Sequence, residues 1–236
     1  MRPDRELIDW SSVDGVLFDL DGVITPTADL HRRAWAETFA QYEFTTTDYE
    51  TYVDGRPRFD GVAHFLSSRG VTLPWGQTDD PPSSNTICAL GNSKNQFFLG
   101  LLQQGELAPY PDAIALLDHL DGLEITYGLV SSSRNARAVL DSAGLLTRFA
   151  CIVDGVSAER DQLPGKPSGA TYVRGAELIG VTPSRCAVVE DAIAGVQAGL
   201  DGRFGLVIGV DRGSNSRALK TAGAHVVLND LANSIR

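Results

Sequence analysis

Six short, mostly apolar runs punctuate this chain, at residues 14–20, 124–130, 150–154, 185–190, 204–210 and 225–228. Continuous runs of that length, bounded by turn signals, suit strands buried on both faces of a parallel sheet, because crossover helices cover both faces. Helical patterns separate the later runs, at 111–120, 134–143, 168–180, 192–200 and 214–222. Pro111 opens the first of these, where a missing N–H costs nothing, and Gly144, Gly180 and Gly223 follow three of them as C-terminal caps. From residue 111 on, the alternation of helix and strand predicts an α/β fold with a doubly wound parallel sheet.

The first run stands apart, with residues 21–123 between it and the second. That stretch holds amphipathic helical patterns at 29–42, 59–69 and 94–104, and no convincing strand. Residues 72–86 are too rich in Pro and Ser for either element. The expected organisation is a core domain made of residues 1–29 and 108–236, with a helical domain, 30–107, inserted after the first strand.

With 236 residues the chain can bury such a core together with an insertion. Thirty acidic against twenty basic residues give a net charge of −10, which argues against nucleic acid as a partner. It leaves room for a phosphorylated small molecule, since a metal and a few local cations reverse the potential inside one pocket. No apolar run reaches the ~18 residues of a membrane span, and the opening MRPDRELIDWSS lacks the apolar stretch of a secretory signal. Cys88, Cys151 and Cys186 are too scattered for a disulfide framework or a zinc site. A reducing, cytoplasmic home and a monomer without a membrane partner are expected.

Ligands of parallel sheets bind beyond the carboxyl ends of the strands. There this sequence places Asp19-Leu20-Asp21-Gly22, then Ser131-Ser132-Ser133, then Glu190-Asp191, with Lys166 in a loop before a helix. Four carboxylates on one edge repel one another, and a hard divalent cation with oxygen ligands, Mg²⁺, is the simplest remedy. Residues two apart in an extended segment face the same way, so Asp19 and Asp21 can serve one site. Asp19 is then the candidate nucleophile on phosphorus and Asp21 the candidate acid/base. Ser131 and Lys166 are candidates for holding the transferring phosphate oxygens.

Taken in order, these residues closely resemble the motifs of the haloacid dehalogenase superfamily: Asp19 to Thr25 its first, Ser131 its second, Lys166 its third, and Glu190-Asp191 its fourth. The resemblance spans essentially the whole chain. It implies a Rossmann-like core with an inserted α-helical cap. It further implies Mg²⁺ held by Asp19, the Asp21 carbonyl, Asp191 and Glu190. Within the superfamily the sequence is most similar to the sugar-phosphate mutases that act on β-glucose 1-phosphate. Thr27, His31 and Trp35 resemble their cap hinge, Ser131 to Asn135 their substrate loop, and Lys94-Asn95 a cap pair. That implies catalytic parts for Thr27, His31 and Lys94, and phosphate contacts from Ser132. Arg56, or else Arg58, together with Ser133, Arg134 and Asn135 would grip the phosphate that is not transferred. The loop at 72–86 is longer than the family pattern. Two other readings remain: a sugar-phosphate phosphatase using water as acceptor, and, remotely, a phospho-accepting signalling domain, which would be about half this length and lack a cap.

Overall fold

The computed structural model describes residues 8–104, 107–213 and 215–235. The opening segment, positions 105–106, the first residue of the helix expected at 214–222 and the last residue of the chain lie outside the described residues. Six strands form one parallel sheet: β1 (Gly15–Phe18), β2 (Thr126–Val130), β3 (Ile152–Val153), β4 (Cys186–Glu190), β5 (Leu206–Val210) and β6 (Val226–Leu228). Their order is β3-β2-β1-β4-β5-β6. The strand most isolated in sequence is therefore central in space, with Phe18 level with Leu129 on one side and Val189 on the other. This is a doubly wound, Rossmann-like arrangement, and its strand order reverses between β1 and β4.

The two-residue period of the strands builds two core layers. Val16 and Phe18 point into one, with Leu116, Leu120 and Val139; Leu17 points into the other, with Val130, Tyr172 and Val188. The first layer includes α5 (Pro111–Gly122) and α6 (Ala136–Ser142); the second includes α8 (Ala170–Leu178) and α9 (Ile193–Asp201). Between α6 and α8 runs the short α7 (Gly155–Arg160), and α10 (Ser216–Ala222) precedes β6. Gly144, Gly180 and Gly223 all have positive φ, as helix-ending glycines do.

After β1 the chain is helical: α1 (Ala28–Thr38), α2 (Thr46–Asp48) running into a π-helical turn (Tyr49–Val53), α3 (Arg58–Ser68) and α4 (Ile87–Leu102). These elements share an aromatic cluster of their own, including Trp35, Phe39, Tyr49 and Phe65. Residues 72–86 form neither helix nor strand. Several elements differ from the sequence expectation, the unexpected helical turns at residues 46–53 among them. Helix α4 starts seven residues before position 94, because the Thr86 side chain accepts from Ala89 N (3.0 Å) and starts the helix there. Gly91, Asn92 and Ser93 interrupt its apolar period and hide that start. Helix α7 was not expected; a capping box between Asp154 and Ser157 nucleates it. Among the described residues no helix is long and apolar enough to cross a membrane.

Candidate active site

Adjacent parallel strands bring their polar ends together. Asp19 follows β1, Ser131 follows β2, Glu190 ends β4 and Asp191 follows it, so all lie at the switch point. Lys166 is buried among them. Its Nζ donates to Asp19 Oδ1 (2.5 Å), Glu190 Oε1 (2.5 Å) and the Val130 carbonyl (3.1 Å), and stands over the Tyr172 ring. Glu190 Oε1 also accepts from the Tyr172 hydroxyl (2.9 Å), and Oε2 from Ala192 N (3.1 Å). Burial alone would lower the Lys166 pKa, but Asp19 and Glu190 outweigh it and raise it.

The carboxyl groups of Asp19, Glu190 and Asp191 each offer an oxygen within 4.8 Å of the others. Burial drives Asp19 well above the usual carboxylate range despite Lys166, and burial with repulsion from Asp54, Asp19 and Glu190 does the same to Asp191. One lysine does not neutralise this set. A hard divalent cation fits it, since every donor is oxygen and the charge is in excess. The glycine of the first motif makes the approach possible. Gly22 has φ +82°, and a Cβ there would lie 1.8 Å from Asp191 Oδ2. The Asp21 carboxylate is not part of the acidic group, so only its main chain remains available to a metal from the set expected in sequence.

That carboxylate instead turns toward the helical layer. Asp21 Oδ1 accepts from the Thr27 hydroxyl and lies 3.3 Å from His31 Nε2. The far nitrogen of His31, Nδ1, meets Lys94 Nζ, and the imidazole stacks on Phe98 at 4.1 Å. A lysine donor at Nδ1 leaves the imidazole proton on Nε2, facing Asp21. Burial raises the Asp21 pKa, but His31 and Thr27 outweigh it, and the net shift is downward. Burial and Lys94 lower His31. Burial and Arg58 bring Lys94 down to about 7.

The loop after β2 meets the helical layer directly. Ser132 Oγ donates to the Gly55 carbonyl (2.8 Å), and Asn135 Nδ2 donates to Asn95 Oδ1 (2.7 Å), which also accepts from Arg58 Nη2 (2.7 Å). The Ser132 hydroxyl expected on phosphate is thus engaged with the cap segment. Ser131 Oγ accepts from Ser133 N (3.1 Å), Ser133 Oγ accepts from Asn135 N (3.2 Å), and Arg134 pairs with Glu159. Arg56 and Arg58 both line the enclosed space, and Arg58 is the one bonded to Asn95. Asp19, Asp21, His31, Lys94, Arg58 and Asp191 surround a cavity of about 60 Å³.

Three lining or supporting residues escaped the sequence reading. Asp54 and Tyr49 line the cavity, and Tyr172 braces Glu190 from α8. Burial raises Asp54 to about 7, with Tyr49 opposing through a hydrogen bond. The Asp-Gly turn before Arg56 was the available signal for Asp54; Tyr172 sits in an ordinary helical pattern and carried none.

A doubly wound sheet with an acidic, lysine-braced cluster at its switch point, closed over by helices inserted after the first strand, defines a capped α/β fold of the haloacid dehalogenase type. A sequence model described as haloacid dehalogenase-like hydrolase matches residues 13–202, and the chain belongs to that family. It is 40% identical to a β-phosphoglucomutase of Mycobacterium tuberculosis over 93% of this chain and 90% of that one. It is 30% identical to hexitol phosphatase A of Escherichia coli over 79% and 78%. A solved β-phosphoglucomutase from Clostridium difficile superposes with a TM-score of 0.77 at 25% identity, covering 93% of this chain and 92% of that one.

Proposed function

We propose that the chain is a Mg²⁺-dependent sugar-phosphate mutase that interconverts β-D-glucose 1-phosphate and glucose 6-phosphate. In this reading residues 30–107 act as a cap over a core of 1–29 and 108–236, and the enzyme is a cytoplasmic monomer. The observation that carries it is the setting of Asp21: Thr27 donates to its carboxylate, His31 Nε2 faces it at 3.3 Å, and Lys94 meets His31 from behind. The acid/base is thus built partly by the cap, and it is complete when the cap is shut and bulk water is excluded. A phosphatase has no need of that coupling. The identity to mycobacterial β-phosphoglucomutase supports the same reading.

The cycle starts from phosphorylated Asp19. The 6-hydroxyl of β-glucose 1-phosphate attacks that phosphorus, its proton passes to the Asp21 carboxylate, and the Asp19 oxygen leaves. The lowered pKa of Asp21 keeps it ionised and ready to accept. The resulting bisphosphate turns over, Asp19 attacks the phosphorus at C1, and Asp21 returns the proton to the departing C1 oxygen. Glucose 6-phosphate leaves and phospho-Asp19 is restored. Lys166 and Ser131 hold oxygens of the transferring group. Mg²⁺, held by Asp19, Asp191 and the Asp21 carbonyl with Glu190 behind, supplies charge neutralisation on that group. Arg58, with Ser133, Arg134 and Asn135, grips the other phosphate. A cavity of about 60 Å³ is too small to turn a bisphosphate, against the ~300 Å³ at the low end of ligand pockets, so the cap opens in each cycle.

The test is phosphorus NMR of the protein with Mg²⁺, β-glucose 1-phosphate and a trace of glucose 1,6-bisphosphate. Glucose 6-phosphate with little free phosphate is expected. Free phosphate as the main product would replace the mutase with a sugar-phosphate phosphatase, the second reading, which the similarity to hexitol phosphatase A favours.

A further inference from the structure

Beside the catalytic cavity lies a second one of about 250 Å³. The two share Arg58, Ser131, Ser132 and Arg134, so they meet along one wall. The outer cavity is lined from the cap by Phe59 and Trp75 and from the core by Glu159, Leu163, Pro164 and Thr171. Two of these are unexplained by the fold. Trp75 is half exposed, whereas Trp10 and Trp35 are buried. Thr171 is 6% exposed, yet its hydroxyl has no hydrogen-bond partner. Burying an unpaired hydroxyl is costly, which leaves this one with a hydrogen bond still to make beside the cavity.

The backbone that carries the indole is held in place. Trp75 sits in the long loop at 72–86, and its carbonyl accepts from Cys88 N (3.0 Å) at the start of α4. Asn92 of the same helix donates to the carbonyls of Thr78 (3.1 Å) and Asp80 (2.9 Å). The loop is therefore fastened to the helix that carries Lys94 and Asn95. An open aromatic face, apolar neighbours and a few polar groups (the Thr171 hydroxyl, the Arg134–Glu159 pair) are the chemistry that recognises a pyranose, whose C–H face stacks while its hydroxyls bond. The volume falls below the ~300 Å³ of drug-sized pockets and suits one ring.

We propose that this outer cavity binds a second sugar ring, so that the enzyme accepts a disaccharide phosphate with its phosphorylated ring in the catalytic cavity and the other ring on Trp75. The inference rests on the sugar-phosphate reading above and extends it. Two measurements separate the pair of claims. In the first, maltose is titrated into the protein and tryptophan fluorescence is followed, which needs no turnover. The wild type responds, Trp75→Phe loses the response, and Thr171→Val, which removes only the unpaired hydroxyl, weakens binding several-fold. In the second, kcat/KM is compared for β-glucose 1-phosphate and β-maltose 1-phosphate. Trp75→Ala lowers the disaccharide value roughly tenfold and leaves the glucose value within about twofold. A maltose titration without a response overturns the second-ring site. So does a parallel fall for both substrates, which would make the cavity only a way in. If the wild type turns over neither sugar phosphate, the mutase reading fails, and the maltose titration still judges the cavity.

Discussion

The floor and the roof of the site are charged in opposite senses. On the floor, Asp19, Glu190 and Asp191 crowd around a single lysine, and the carboxyls of Asp19 and Asp191 are pushed well above their ordinary range. In the roof, Lys94 sits in a dry setting near Arg58: burial with repulsion from Arg58 brings Lys94 to about 7, and burial with repulsion from Arg134 brings Arg58 to about 10. The floor has excess negative charge and suits a cation; the roof has excess positive charge and suits an anion. They differ equally in mounting. Floor residues follow buried strands or are locked by several hydrogen bonds, whereas roof residues sit on helices that touch the floor through two main latches, Ser132–Gly55 and Asn135–Asn95. A stiff floor suits the bond-making step, and a separable roof suits admission and release of a substrate.

The comparison breaks most sharply at Asp19. Asp19→Asn keeps the shape and removes the proposed nucleophile, so turnover should fall by ~10⁴-fold or more, with no acid-stable or trappable phosphoenzyme. Mg²⁺ binding, read by calorimetry, should weaken as well, because the floor loses one of its charges. Activity within about a hundredfold of wild type would show that another residue carries the phosphoryl group.

Asp54 tests whether the roof brings an acid down onto the floor. Its carboxyl is held protonated to about pH 7 by burial, against an ordinary value of 3.8. The folded state therefore binds more protons than the unfolded state between those values. Stability of the metal-free protein should be complete below the lower one and decline as pH rises through the upper one. Urea unfolding in EDTA at pH 5 and pH 8 should show a loss on the order of a few kcal/mol in wild type and a smaller one in Asp54→Asn. Equal losses would mean that Asp54 is not buried against Asp191.

Arg58 and Arg56 sharpen the roof itself. Arg58→Ala removes a guanidinium fixed by Asn95, and charge-assisted hydrogen bonds of ~1.5–3 kcal/mol convert to a rise of roughly ten- to a hundredfold in KM for the sugar phosphate. Arg56→Ala should change KM less. The reverse ranking would move the second phosphate to Arg56, the residue favoured by the sequence pattern.

Much of the floor could be read from sequence and much less of the roof, for a physical reason. Buried parallel strands leave continuous apolar runs, and the residue ending each run must lie on one edge, so Asp19, Ser131 and Asp191 follow from pattern and topology alone. Lys166 comes from a loop before a helix rather than from a strand end, and the residues alone already set it as the cation beside the carboxylates. In the roof, a π-helical turn at Tyr49–Val53 ends at Asp54, which lines the cavity, and Arg58 opens the next helix and bonds Asn95. No simple period reports such a turn. The hydroxyls of Ser131, Ser132 and Ser133 are alike in sequence, and only packing shows that the second reaches across to Gly55.

That middle serine gives the smallest expected effect and the most direct test of a separable roof. Ser132→Ala removes one hydrogen bond between floor and roof while leaving Asp19, Lys166 and the acidic cluster untouched. A single neutral hydrogen bond contributes ~0.5–1.5 kcal/mol, so the closed state should lose a few-fold in population. Phosphorylation of Asp19 by the bisphosphate should proceed at nearly the wild-type rate, since the floor is intact. The change should appear instead in how the phosphoenzyme is spent: water gains access more often, and free phosphate rises a few-fold relative to glucose 6-phosphate in the NMR assay. An unchanged product ratio with slower phosphorylation would assign Ser132 to the phosphate itself rather than to the latch, and the division between floor and roof would have to be redrawn through the loop after β2.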